Sequence, residues 1–238
     1  IDVTMRVEVP EYARDRFEAG DTSSRQPVAL EGSRVTPIVS SYNKTLASAA
    51  IKIGEQTHPL KKSGDTWTLD TAGTPFDRVD ATLRYEVLAT DTDGLSPERP
   101  MTGVVQVRAD QPPRIAAATA TQAVLPTAAP RIRFRAIDDY GLARIVVHRA
   151  VVRVQTDETG VATAEPIETH TPIAEPPNHD AEIANTIPVD FTDLKLTKGD
   201  RVIVTFEAID HRGALEGKST RSEKMVFQVT DRAGVLAA

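Results

Sequence analysis

Leu83-Arg-Tyr-Glu-Val-Leu-Ala-Thr-Asp-Thr-Asp-Gly94 carries the two signals that decide the fold. Tyr85, Val87 and Ala89 alternate with the residues between them, which is the period of a half-buried β-strand. The stretch then ends in the pattern Ala-x-Asp-x-x-Gly. An Asp at that point can accept backbone N–H bonds, and the Gly can adopt a positive φ. The sequence therefore predicts a buried strand that runs into a tight turn.

The same six-residue pattern returns twice, at residues 136–141 and 208–213. Residues 85–94 align with residues 204–213 without a gap, and an alternating strand precedes each copy. A pattern repeated in this way indicates two copies of one structural module. Several short strands with turn signals between them are typical of immunoglobulin-like sandwiches.

The spacing of strand signals predicts an all-β chain with two tandem immunoglobulin-like β-sandwich domains. The dipeptide Pro112-Pro113 follows a polar pair and reads as a stiff linker, so we place the domains at 1–111 and 112–238. Within the second domain, residues 156–182 are polar and rich in proline and predict an extended loop. The apolar run 145–154 predicts either a bulge near Arg149 or a strand that is buried on both faces. No helix is predicted.

Composition and the absence of certain motifs exclude several classes of function. The 238 residues carry a net charge of −6, which argues against a nucleic-acid-binding protein. Cysteine is absent, so disulfides, cysteine zinc sites and thiol catalysis are excluded. The sequence has neither a Gly-x-Ser-x-Gly elbow nor a phosphate-binding glycine loop, and it predicts a protein that is not an enzyme. Because the chain begins at Ile1, we expect it to be part of a longer polypeptide whose signal or anchor lies elsewhere.

Four short segments resemble a known type of module. They are Val9-Pro-Glu-Tyr12, Leu30-Glu-Gly-Ser-Arg-Val35, Leu46-Ala-Ser-Ala49 and Arg135-Ala-Ile-Asp-Asp-Tyr-Gly-Leu142. Together they resemble the tandem immunoglobulin-like modules in extracytoplasmic regions of large bacterial membrane proteins of unknown function, common in planctomycetes. Pro37 and Trp67 depart from the pattern, and Pro37 predicts an edge position or a bulge in the second strand.

The resemblance implies a location outside the cytoplasm, in the periplasm or at the cell surface, within a membrane-anchored parent. It implies a non-catalytic spacer or protein-interaction region whose partners are other envelope proteins or modules of the same parent chain. Contact with the membrane is then expected only through an anchor outside this chain. Two alternatives stay open: a pair of carbohydrate-binding modules and a calcium-rigidified adhesion segment.

Calcium is the one cofactor that the residues suggest. Asp91, Asp93, Asp138 and Asp139 lie in the turns that follow two predicted strands, and carboxylate oxygens are calcium ligands. The same side chains are also suited to capping their turns, which is the simpler interpretation.

Three further groups of residues allow a structural and a functional interpretation. Arg131, Arg133 and Arg135 predict a solvated strand face paired with acids such as Glu207, or a contact for an acidic partner. The dispersed aromatics Trp67, Tyr12, Tyr42 and Tyr140 predict core or turn packing rather than a sugar platform, with Tyr140 the most exposed. The five histidines show no ligand-like spacing, although His170 and His179 lie near Asp180 and Glu182 in the predicted loop.

Overall fold

A computed structural model describes residues 1–153, 155–156, 162–163 and 167–237 of the chain. The chain divides into two compact units, Ile1–Asp110 (unit 1) and Gln111–Ala238 (unit 2). Almost all of the regular structure is β-strand, and each unit is an immunoglobulin-like β-sandwich. The predicted fold class is confirmed.

Unit 1 contains nine strands. They are β1 (Asp2–Glu8), β2 (Gly20–Thr22), β3 (Val28–Leu30), β4 (Arg34–Ser40), β5 (Leu46–Ile53), β6 (Gln56–Ser63), β7 (Thr66–Leu69), β8 (Leu83–Asp91) and β9 (Met101–Arg108). Their hydrogen bonds form one curled path in the order β2-β1-β4-β7-β6-β5-β8-β9-β3. Buried side chains come from every strand of the path except β2, and aliphatic residues dominate this core.

Pro37 lies within β4 and is buried. Met5 of β1 is its partner on one side, whereas β7 on the other side pairs only with Ile38–Ser40. Position 37 therefore has a neighbouring strand on one side only. A residue without an N–H is tolerated there, as at an edge position.

Apart from a turn of 3-10 helix at Thr192–Leu194, the described residues of unit 2 form eleven strands and one short α-helix. They are β10 (Arg114–Ala118), β11 (Ala123–Val124), β12 (Arg131–Ile137), β13 (Leu142–Val152), β14 (Gln155–Thr156), β15 (Ala162–Thr163), β16 (Ile167–Ala174), β17 (Glu182–Pro188), β18 (Arg201–Asp210), β19 (Ser219–Arg221), β20 (Met225–Val229) and α1 (Arg232–Ala237). A three-stranded sheet β10-β12-β17 and a larger sheet β11-β20-β18-β13-β16 form the two layers, with β19 added beside β18. The helix α1 was not predicted.

The core of unit 2 lies between these two sheets. Ile132, Phe134 and Ala136 of β12 are buried against β18 and β13 residues of the opposite sheet. The rings of Phe134 and Phe206 stack with centroids 5.1 Å apart, so they join the two layers directly. The alternation in β12 predicted this inward face, and the prediction is confirmed.

Each copy of the Ala-x-Asp-x-x-Gly motif forms the predicted junction between a buried strand and a tight turn. The three alanines, Ala89, Ala136 and Ala208, are buried at the ends of β8, β12 and β18. The glycine that closes each motif has a positive φ, between 61° and 121°. These positions require glycine because other residues seldom adopt that region.

The predicted loop 156–182 is wrong over residues 167–174, which form β16 and pair with β13. Pro172 is tolerated because β16 is an edge strand, and the pairing shifts register beside it, between Ile145 and Val146. The remainder of residues 157–166, apart from the short strand β15, lies outside the described residues.

The predicted bulge near Arg149 is also misplaced. The register shifts of β13 lie between Leu142 and Arg144 and between Ile145 and Val146. Arg149 instead shares the inward parity of Ile145 and Val147. Its side chain is 12% exposed and donates to Asp193 at 2.8 Å and 2.9 Å and to the carbonyl of Asp190 at 2.6 Å. A paired arginine on the inner face therefore interrupts the apolar alternation.

Tyr85 lies across Gly103 in unit 1, and its hydroxyl donates to the carbonyl of Arg25 at 3.1 Å. The side chain is buried, and burial raises its pKa to about 12. The ordinary tyrosine pKa is about 10.

We expect the free energy of unfolding to fall as pH rises from about 10 to about 12. In that window Tyr85 ionises in the unfolded chain but stays neutral in the folded one, so the unfolded state is favoured. Urea unfolding across this pH range measures the effect. The Tyr85→Phe variant should show a flatter decline over the same range, and an identical decline would contradict the assignment.

Candidate interaction surface

The outer face of the three-stranded sheet carries a row of arginines. Arg131, Arg133 and Arg135 of β12 point away from the core, and Arg114 of β10 shares this face. Small residues lie on both sides of the row. Ala116 and Ala118 of β10, and Ala184 and Thr186 of β17, are the direct neighbours of Arg135 and Arg133. We call these eight residues the arginine face.

Long cationic side chains between short ones produce a shallow, open trough. Its volume is about 570 Å³, and segments of β10, β12 and β17 line it. An open trough on a sheet is shaped for an extended partner rather than for a small molecule, which needs enclosure on most sides.

Charge on this face is poorly balanced. Arg135 forms a two-pronged ion pair with Glu182, at 2.8 Å and 3.1 Å. That hydrogen bond lowers the pKa of Glu182 and raises the pKa of Arg135. Within the described part of the chain, the guanidinium groups of Arg131 and Arg133 form no ion pair. The prediction that Glu207 pairs with these arginines is wrong, because Glu207 lies on the other sheet.

Two strand edges border the arginine face. β10 and β17 are the outer strands of the three-stranded sheet, and each pairs with β12 on one side. Glu182 and Pro188 stand at the two ends of β17, where a charge and a proline discourage unintended pairing. The middle of β17, Ala184–Thr186, is exposed and has short side chains.

Of the four aspartates predicted as calcium ligands, Asp91 and Asp93 belong to unit 1 and Asp138 and Asp139 to unit 2. In unit 1, the carboxylate of Asp91 accepts the N–H groups of Asp93 at 2.9 Å and Leu95 at 2.8 Å. In unit 2, Asp138 accepts the N–H groups of Tyr140 at 2.9 Å and Gly141 at 2.7 Å. The turn-capping interpretation of Asp91 and Asp138 is therefore confirmed.

A lysine lies between the two aspartates of unit 1 and offsets part of their charge. The ammonium group of Lys44 lies 2.7 Å from Asp93 and 3.5 Å from Asp91. Backbone hydrogen bonds from Leu95 and Asp93, with the charge of Lys44, lower the pKa of Asp91 against the opposing effect of burial. A calcium site at Asp91, Asp93, Asp138 and Asp139 stays a prediction, which the melting temperature in calcium against EDTA would test.

Four of the five histidines form two pairs that the sequence did not reveal. His148 of β13 lies directly opposite His170 of β16, and the rings of His179 and His211 stack with centroids 3.4 Å apart. Burial, and secondly the charge of His179, lower the pKa of His211. His170 and His179 thus belong to different pairs. The sequence did not indicate that residues 167–174 form strand β16. The pairing of β16 with β13 is what places His148 opposite His170.

The aromatic residues form no row on any sheet of the described part of the chain. Tyr140, predicted to be the most exposed, is buried with 4% of its surface exposed. Tyr42 is the exposed tyrosine instead, at 88%, and it lies outside the strands. A sugar-stacking platform needs several exposed rings on one face, and Tyr42 stands by itself.

Residues 1–153 and 167–237, with the short strands between them, include no group of three or more His, Asp or Glu side chains placed to hold a metal. No helix in the described part of the chain has the length and hydrophobicity needed to span a membrane.

No protein-family model matches the chain, and no curated protein matches it. Among solved structures it is similar to fibronectin(III)-like modules of Clostridium thermocellum CbhA, with 14% identity, 86% of this chain and 90% of that chain covered, and a TM-score of 0.29. It is also similar to a bacterial ice-binding adhesin of 1.5 MDa, with 12% identity over 95% of this chain and 64% of that chain and a TM-score of 0.40.

The human desmocollin-1 ectodomain is a further similar structure, with 13% identity over 87% of this chain and a TM-score of 0.29. The chain spans 64% of the adhesin structure and 38% of the desmocollin structure. At TM-scores below 0.5, these likenesses assign neither a family nor a function to this chain.

Proposed function

We propose that this chain is a non-catalytic interaction region of a membrane-anchored bacterial envelope protein, and that its arginine face binds an acidic protein segment. The partner is another envelope protein or another module of the same parent. The observation that carries the proposal is the imbalance of charge: four arginines and one glutamate share an open sheet face in a chain whose net charge is −6.

Arginine suits this role through its shape. Its planar guanidinium donates two parallel hydrogen bonds to a carboxylate, which fixes the orientation of the partner. The pair Arg135–Glu182 shows that geometry within the chain itself. Arg131 and Arg133 present the same group on the same face, where a partner's carboxylates can reach them.

The edge of β17 adds a way to hold an extended segment. A segment that pairs with β17 would lie two strand spacings from β12, about 10 Å away. The short side chains of Ala184 and Thr186 leave the path open between the arginines and such a segment. Main-chain hydrogen bonds to β17 would supply affinity, and carboxylates on alternate residues would meet the arginines and supply specificity.

The open trough favours binding over catalysis, because it encloses no reacting group. A carbohydrate partner is less well supported, since the exposed aromatic that the structure offers, Tyr42, lies outside the strands. Calcium-rigidified adhesion remains a prediction that rests on the turn aspartates.

The test uses a fluorescein-labelled peptide of alternating Glu and Thr residues, titrated with the whole chain at low and at physiological salt. We expect salt-dependent binding that Arg133→Glu weakens roughly fivefold or more, the scale of one or two exposed ion pairs. Arg144→Glu is the matched control, because Arg144 is an exposed arginine of β13, on the other sheet. We expect it to stay within about twofold of the parent.

Equal weakening by Arg133→Glu and Arg144→Glu would contradict the proposal, because it would reflect overall charge alone. Absence of binding at low salt would also contradict it. Stronger competition by polygalacturonate than by the free peptide would replace the protein partner with an acidic polysaccharide.

A further inference from the structure

His148 and His170 meet on the outer face of the larger sheet in unit 2. They are directly opposite residues on the antiparallel strands β13 and β16. Their Nδ1 atoms are 2.6 Å apart, and the rings meet nearly edge-on, at 70°, with centroids 4.6 Å apart. Directly opposite residues hold their Cβ atoms about 5 Å apart, so the backbone itself keeps the two imidazoles together.

Glu207 of β18 sets the orientation of His148. Its Oε2 lies 2.6 Å from the Nε2 of His148. Burial works to raise the pKa of Glu207, but hydrogen bonds from Ser219 and His148 and the charge of Arg221 lower it overall. At this distance of 2.6 Å the carboxylate accepts a hydrogen bond from the Nε2–H group of His148, which places the ring proton of His148 on Nε2. In that tautomer the lone pair of His148 lies on Nδ1 and faces His170.

At 2.6 Å there is room for one proton between the two Nδ1 atoms, and a metal ion can take its place. We propose that His148 and His170 bind a divalent transition metal through these two nitrogens, with Zn²⁺ as the representative ion. Imidazole nitrogens select zinc, nickel and copper over calcium. Water completes the coordination, because the protein supplies two ligands.

The geometry requires a small movement. Two Zn–N bonds of about 2.0–2.1 Å at a tetrahedral angle hold their nitrogens about 3.3 Å apart. The rings must therefore separate by less than about 1 Å. The side chain of His170 is exposed and can turn, whereas that of His148 is 12% exposed and is held by Glu207.

Glu207 is the positioning residue of this site. A metal-binding histidine commonly donates its second N–H to a carboxylate, which fixes the tautomer and makes the ring a better ligand. Arg221, with its Nε 3.7 Å from the carboxylate, and Ser219 hold Glu207 in turn. His148 thus has the surroundings of a metal ligand.

The experiment is a calorimetric titration of Zn²⁺ into the whole, untagged chain at neutral pH. We expect one Zn²⁺ to bind per chain. His170→Gln should abolish this binding, and Glu207→Gln should weaken it about 10–100-fold. His58→Gln is the matched control, because His58 lies in unit 1 on β6, and it should bind as the parent does.

Unchanged zinc binding in His170→Gln would overturn the proposal, as would the absence of binding up to millimolar Zn²⁺. Circular dichroism of each variant checks folding, and His170→Gln alters an exposed side chain on an edge strand, so we expect it to fold.

Discussion

Phe206→Ala should destabilise unit 2 by about 3–5 kcal/mol, because it removes a fully buried ring from the contact between the two sheets. Phe206 stacks on Phe134 of the opposite layer with centroids 5.1 Å apart. The variant loses the free energy gained by burying the ring. It also leaves a cavity, which the two sheets can fill only in part because backbone hydrogen bonds hold their strands in place.

Differential scanning calorimetry of the whole chain measures this effect. Val226→Ala is the control, because Val226 is 43% exposed on β20, a neighbour of β18, and should change stability by less than about 0.5 kcal/mol. If residues 1–111 and 112–238 unfold independently, one transition moves to lower temperature and the other stays. A shift of both together would contradict the division into two domains, and a loss below about 1 kcal/mol would contradict the core assignment.

Gly103→Ala should destabilise unit 1 by about 2–3 kcal/mol, through overpacking rather than through backbone strain. A Cβ at this position would lie 2.1 Å from the hydroxyl oxygen of Tyr85 and 2.6 Å from the carbonyl oxygen of Arg25. Neither neighbour can withdraw easily, because Tyr85 is buried and the carbonyl belongs to the backbone.

Gly94→Ala should cost stability through backbone strain without any overpacking. Its φ is +80°, and a Cβ there would meet nothing within 4 Å, so we expect only the cost of a left-handed backbone, about 1 kcal/mol. Urea unfolding compares the two. In a Tyr85→Leu background the cost of Gly103→Ala should fall, because the ring that causes the closest contact is gone. An unchanged cost would contradict the explanation by Tyr85.

The strands that could be predicted are those with one buried face. In β12, Ile132, Phe134 and Ala136 face the core while the arginines between them face solvent, and that contrast is visible in the sequence. β6 gave no such signal, because Leu60 is its single fully buried residue. The two-residue loops at Gly54 and Gly64 on either side of it, where glycine has the positive φ of a type II′ turn, were the available clue.

The alternation that predicts strand β12 also predicts that its arginines share one face. It does not predict which side chains lie beside them. Alternation shows which way Arg133 points, whereas its neighbours Ala118 and Thr186 come from strands distant in sequence. The histidine pair was hidden by the prolines around residues 166–177. They suggested a loop, although an edge strand accommodates Pro172 with a local shift of register in its pairing with β13.

The parallel pairing of β3 with β9 and of β11 with β20 has a mechanical consequence. In each unit an early strand lies parallel to the last one, so tension along the chain pulls the two strands lengthwise past each other. The bonds that join them, such as Gln106 N–H to Pro27 carbonyl and Thr230 N–H to Val124 carbonyl, both 2.9 Å, then bear the load together instead of opening one after another. Tension applied to either unit would therefore meet resistance from several of these bonds at once.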